Sequence, residues 1–167
     1  RRVYHLTDKV RKTARGDSKI KKLHVVGAGV MGGDIAAVAA MSGLNVSLTD
    51  VDSSAIEGAI KRSADLFARR LKVGEKIAAA TARLKADPKG NDAANADLII
   101  EAVAEKLSVK RAVFSDLEKI IKPDAILATN TSAIPLEDVS TALKDPSRLI
   151  GLHFFNPVPV LPLVEVI

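Results

Sequence analysis

A chain of 167 residues, 47% apolar and 27% charged, has the composition of a globular domain with a real core, which excludes a disordered tail. It has no cysteine, which excludes disulfides, thiolate nucleophiles and zinc–thiolate sites and fits a reducing compartment, and no apolar run approaches the ~20 residues of a membrane-crossing helix. The net charge of +5 is uneven: nine of the 25 Lys and Arg fall within residues 1–22 against Asp8 and Asp17 alone, so the body is near neutral and no nucleic-acid surface is expected.

The start is polar, with no apolar stretch of a secretory signal, and begins on Arg1, which fits a piece of a longer protein. Tyr4 to Ala14 has Val3, Leu6 and Val10 at helical spacing, and "RGDSK" then breaks the pattern. Residues 1–20 therefore read as a basic arm and linker, and 21–167 as one domain. Leu23 to Val26 is a short β run. Helical periodicity follows from Val30 to Met41, and Gly43 suits a left-handed cap. Asn45 to Thr49 is a second strand, with Asp50 at its end. A long helix is expected over Ala55 to Lys72, capped by Ser53 or Ser54 and interrupted at Gly74, with a second helix to about Ala82. A short strand near Leu84 precedes the turn "DPKGND". Asp97 to Val103 reads as a buried strand, Leu107 to Ile121 as a helix and Ala125 to Thr129 as a strand. Leu136 to Leu143 is a short helix. Leu149 to Phe154 and Leu163 to Ile167 are β runs.

Strands alternating with helices predict an α/β fold of the Rossmann type, a doubly wound, mainly parallel sheet with helices on both faces. Ligands of such sheets bind at the carboxyl ends of the strands. Asp50, Glu105, Thr129 to Ser132 and His153 stand just past strands.

Gly27-Ala28-Gly29-Val30-Met31-Gly32 is G-x-G-x-x-G between the first strand and the first helix. Gly27 permits a tight turn, Gly29 the approach of a pyrophosphate, and Gly32 close helix–sheet packing. The helix N-terminus presents free N–H groups to phosphate oxygens. Glycines also make tight turns with no ligand, but Asp50 follows Gly32 by 18 residues, where a carboxylate accepts from ribose hydroxyls. Its charge would repel a 2′-phosphate, so NAD is favoured over NADP. No Lys-Ser/Thr follows the glycines, which argues against a P-loop.

His153 ends a strand, and Glu165 stands twelve residues later in a run that can return beside it. A carboxylate-held histidine is a general base, although a core histidine and a strand-edge glutamate would look the same. His24 lies within the first strand and His5 in the arm. Glu101 points away from the site if its strand alternates, and is assigned to the framework.

The glycine turn with Asp50, "EAVAEKLSVK" (Glu101 to Lys110), "TNTSAI" (Thr129 to Ile134) and "GLHFFNPVPVLPLVEVI" together resemble the NAD-binding domain of the L-3-hydroxyacyl-CoA dehydrogenases. The likeness covers residues 22–167. Its details, with the arm, resemble most the multifunctional α-subunits of fatty acid oxidation complexes.

The resemblance implies NAD as cofactor, no metal and an acyl-CoA substrate. It implies an upstream hydratase domain and a downstream helical domain of the same chain. His153 would be the base and Glu165 its partner. Ser132 would bond the reacting oxygen, unless it is only a turn hydroxyl. Asn156 would help position the nicotinamide and the reacting groups. Gly27, Gly29, Val30, Met31, Gly32, Asp50, Val103, Ala104, Glu105 and Lys110 would contact the cofactor, Lys110 being otherwise a solvated helix lysine. A free-standing 3-hydroxybutyryl-CoA dehydrogenase and a non-catalytic NAD-binding module are the alternatives. The family's second domain is missing from the sequence, so weak or no turnover and some self-association are expected of this chain alone. Arg62, Arg69, Arg70 and Lys72 form either a solvated helix face or a surface for the CoA phosphates. The expected compartment is the cytoplasm of a bacterium or the organelle matrix of a eukaryote.

Overall fold

The computed structural model describes residues 19–161 and 163–167; the proposed helix of the basic arm lies outside them. Seven strands form the sheet: β1 (Lys22–Val26), β2 (Asn45–Thr49), β3 (Leu84–Ala86), β4 (Leu98–Glu101), β5 (Ile126–Thr129), β6 (Leu149–Phe154) and β7 (Val164–Val166). Their order is β3-β2-β1-β4-β5-β6-β7. The first six run parallel and β7 pairs antiparallel with β6. The helices are α1 (Val30–Met41), α2 (Ser53–Leu71), α3 (Gly74–Arg83), α4 (Leu107–Leu117) and α5 (Leu136–Ser140). None is long and apolar enough, among the described residues, to cross a membrane. Strand order reverses between β1 and β4, so their carboxyl ends open a crevice there.

The central strands are apolar on both sides because both faces are covered. Leu23, Val25, Val46 and Leu48 face α1 and α2 with Ile35, Ile56 and Phe67. Ile99 and Leu127 face the opposite layer, with Phe114, Leu117 and Val139. Helix α1 has small residues where it must approach closely: a Cβ on Gly33 would stand 3.0 Å from the Ala59 Cβ of α2.

Several boundaries differ from expectation for local reasons. The cap of α2 is Asp52, not a serine: its Oδ1 accepts from the Ser54 amide (2.8 Å) and hydroxyl (2.7 Å). A carboxylate there also meets the positive end of the helix dipole. The break between α2 and α3 falls at Lys72, whose φ of 53° is left-handed, and Gly74 opens the next helix. Strand β4 is shorter than Asp97 to Val103. Just before it, the Asp97 carboxylate takes the Lys21 and Lys22 amides and the Lys122 ammonium. The Lys122 bond, first among these, holds the Asp97 pKa at about 2. Helices α4 and α5 stop before Ile121 and Leu143, whose amides continue as turns on Leu117 and Ser140.

His24 is fully buried, and its Nδ1 lies 2.7 Å from Ser47 Oγ, its register partner on β2. Burial pushes its pKa down, and the Asp87 and Asp92 carboxylates only partly oppose that. The folded chain thus holds His24 neutral to a lower pH than the unfolded chain does. Stability is then lost as pH falls through the ordinary value of about 6.5. Urea titrations between about pH 7.5 and pH 5 should show a steeper loss in the wild type than in His24→Gln. Parallel curves would remove His24 from the pH dependence.

Candidate cofactor and catalytic site

Two clefts open at the carboxyl ends of the strands, on either side of a ridge formed by Ala102 and Val103. One, of about 500 Å³, is lined by Gly27, Gly29, Asp50, Val51, Val103 and Ala104 among others. The other, of about 350 Å³, holds Met31, Glu105, Ser132, His153 and Asn156. Residues singled out in five separate stretches of sequence therefore come together.

The glycine turn is fixed by sterics. Gly27 has φ 105°, and a Cβ there would stand 2.6 Å from the Ala102 carbonyl oxygen. A Cβ on Gly32 would stand 1.8 Å from the Gly27 carbonyl oxygen. Gly29 is different: nothing lies within 4 Å of its would-be Cβ. Among the described residues no side chain caps α1, so its first amides have no partner from a capping residue. Val30 is 59% exposed and lines neither cleft.

Asp50 sits where β2 ends. Its Oδ2 accepts from the Ala28 amide (2.6 Å) and its Oδ1 from the Asp52 amide (3.0 Å). The carboxylate thus braces the turn as well as facing the cleft. Arg62 reaches the same turn from α2, with Nη2 3.4 Å from the Ala28 and Gly29 carbonyl oxygens. Arg70 donates to the Pro159 carbonyl (3.0 Å) and Arg69 to its own helix. Of the four cations weighed on this helix, two therefore tie segments together instead of forming a free face.

The β6–β7 register sets His153 directly opposite Glu165, with Nδ1 3.0 Å from Oε2. With the ionised carboxylate as acceptor, Nδ1 carries the proton and Nε2 presents a lone pair. The Phe155 ring stacks at 4.6 Å between centroids, tilted by 52°. Asn130, inside the stretch Thr129 to Ser132 but given no role of its own there, accepts the Phe154 amide on Oδ1 (2.9 Å) and lines the same cleft. Its place between Thr129 and Thr131, one step past a strand, is the signal that was available.

Lys110 is not a solvated helix lysine. It is 1% exposed and bonds Glu101 Oε1 and Oε2 at 2.8 and 3.0 Å and Glu105 Oε2 at 3.1 Å. No contact of its ammonium with a cofactor is open unless these bonds rearrange. Glu101 is completely buried and also accepts from the Val103 amide (2.8 Å) and the Thr129 hydroxyl (2.7 Å). These bonds offset the cost of burying the charges; removing one partner of such a pair typically costs about 3–5 kcal/mol. Glu105 is partly exposed to the cleft. Burial raises its pKa, but the Thr131 hydroxyl, Lys110 and the Ser132 amide outweigh that, leaving it below the ordinary range.

A parallel sheet of this order, with an open glycine turn and a carboxylate at the end of its second strand, defines a Rossmann-type dinucleotide-binding domain. Comparison with known proteins makes this more specific. The family described as 3-hydroxyacyl-CoA dehydrogenase, NAD binding domain, matches residues 22–167, and the chain belongs to it. NAD is accordingly its cofactor. A probable 3-hydroxyacyl-CoA dehydrogenase of Caenorhabditis elegans is 43% identical over 157 residues, covering 89% of this chain and 53% of the relative. The fatty acid oxidation complex subunit alpha of Pseudomonas putida is 40% identical over 152 residues, covering 89% of this chain and 21% of the relative. The crystal structure of 3-hydroxybutyryl-CoA dehydrogenase from Escherichia coli superposes with a TM-score of 0.85 at 38% identity, covering 89% of this chain and 32% of that one. The chain thus spans about half the length of the first relative and a fifth of the second.

Proposed function

We propose that the protein oxidises L-3-hydroxyacyl-CoA to 3-ketoacyl-CoA with NAD in fatty acid β-oxidation. One observation carries this reading: His153, paired with Glu165, shares a cleft with Ser132 and Asn156, one ridge away from the glycine turn. NAD fits the first cleft, because Gly29 leaves open space over free helix amides and Asp50 stands at its rim.

His153 Nε2 takes the proton of the 3-hydroxyl as the C3–O bond becomes a carbonyl. Glu165 stabilises the imidazolium that forms. Bound NAD supplies the acceptor for the hydride that leaves C3. Ser132 donates to the reacting oxygen, and Asn156 and Met31 shape the space around the ring of the cofactor. The glycine turn and the first amides of α1 would hold the pyrophosphate and Asp50 the adenosine ribose, with Val103, Ala104 and Glu105 also contacting the cofactor. The lengths of the relatives support a longer chain; the proposal extends to a basic linker at residues 1–20 after a hydratase domain, a helical domain beyond, and a homo-oligomer in the cytoplasm or an organelle matrix.

The test follows NADH formation by the full-length protein given 3-hydroxybutyryl-CoA and 3-hydroxydecanoyl-CoA. NADH should form with the L and not the D substrates, and with NAD+ in preference to NADP+. Comparable rates on both chain lengths support a β-oxidation enzyme. Activity confined to the four-carbon substrate supports the 3-hydroxybutyryl-CoA reading, which the Escherichia coli likeness favours. NADH binding without turnover would leave a nucleotide-binding module.

A further inference from the structure

We propose that Glu101 is a positioning residue for the cofactor site, acting through Lys110 on Glu105 and, beyond it, on the loop that carries Ser132. The inference rests on the reading above, in which Glu105 faces the cofactor.

Glu101 closes β4, paired in register with Val26 on one side and Thr129 on the other. Its backbone carbonyl takes the Asn130 amide (2.9 Å). Its two carboxylate oxygens receive four donors: the Val103 amide, the Thr129 hydroxyl and the Lys110 ammonium twice. Val103 belongs to the ridge between the two clefts, so this bond turns the chain out of the sheet where the cofactor must cross. Lys110 passes the constraint on to Glu105 Oε2. The other oxygen, Oε1, takes the Thr131 hydroxyl and the Ser132 amide (3.2 Å). An unbroken chain of charge-assisted bonds thus runs from a buried strand end to the loop of the reacting groups. An exposed glutamate normally samples many rotamers. Glu105, with its side chain 40% exposed, is held by three tethers instead. A site held to within about half an ångström requires support of this kind. The charge at Glu101 is needed because four donors converge on it, and an amide would turn a donor toward them.

The test separates positioning from mere stability. Glu101→Gln with Lys110→Met replaces the buried pair by a neutral one of similar size, so no charge is stranded. NADH dissociation constants are measured by fluorescence for this double variant, for Glu105→Gln and for the three changes together, with melting temperatures alongside. The double variant and Glu105→Gln should each weaken NADH binding by about tenfold, the worth of one charge-assisted hydrogen bond. The combination should stay near tenfold, because the first two changes act through the third. A combined loss near one hundredfold would show independent effects and overturn the proposal. So would a folded double variant with unchanged affinity. If the neutral pair does not fold, the same cycle with Glu101→Asp, which withdraws the charge by one methylene, decides the matter. A wild-type protein that binds no NADH would overturn the reading of the clefts themselves, whatever the variants do.

Discussion

Turnover by the full-length protein should fall about 100- to 10,000-fold in His153→Gln, the range general-base catalysis spans. NADH affinity should change by less than about threefold, because the imidazole lies in the second cleft and the proposed phosphate site in the first. The amide of glutamine can still bond Glu165, so the β6–β7 pairing that aligns the two residues should survive. A loss confined to kcat, with KM for NAD+ unchanged, is the signature of a group that acts only in the chemical step. Steady-state rates with saturating acyl-CoA measure it directly. Unchanged turnover would leave His153 a packing partner of Phe155.

The sequence made the architecture legible because parallel strands buried on both faces stand out as short β-branched runs. Asn45–Thr49 and Leu149–Phe154 have the expected bounds. The candidate site was legible for a related reason: Asp50, Glu105 and Ser132 follow strands and His153 stands near the end of one, and a doubly wound sheet gathers strand ends. What stayed hidden is set by side chains that cross between segments. Asp97 and Glu101 flank and close β4 with carboxylates that take backbone amides, and nothing local distinguishes them from ordinary strand carboxylates. Lys110 reads as solvent-facing because lysine on a helix almost always is; Glu101, nine residues earlier on another element, and Glu105 make its burial tolerable. Ser53 and Ser54 masked Asp52 because all three are good caps, and the backbone decides which stands at the boundary. Arg62 belongs to the glycine turn through packing of α2 on α1, which the periodicity of either helix alone does not specify.

The glycines of the turn divide by function, and two alanines should reveal it. Gly32→Ala pushes a methyl to 1.8 Å from the Gly27 carbonyl oxygen, and backbone on both sides cannot yield. The expected cost exceeds about 3 kcal/mol, at the upper end for overpacking, because turn and helix must separate. Urea or thermal unfolding reads it without any cofactor. Gly29→Ala meets nothing within 4 Å, and its φ of −61° and ψ of −168° are open to any residue. Stability should therefore change by less than about 1 kcal/mol. NADH affinity should nonetheless fall by about tenfold or more, since the methyl stands where a pyrophosphate must approach the helix amides. The contrast distinguishes a turn that is only a connection from one shaped for a ligand. In a bare connection the open space over Gly29 has no purpose, and Gly29→Ala would bind NADH as the wild type does. Loss of binding in a variant of unaltered stability places the pyrophosphate over Gly29, between the Asp50 carboxylate and the first turn of α1.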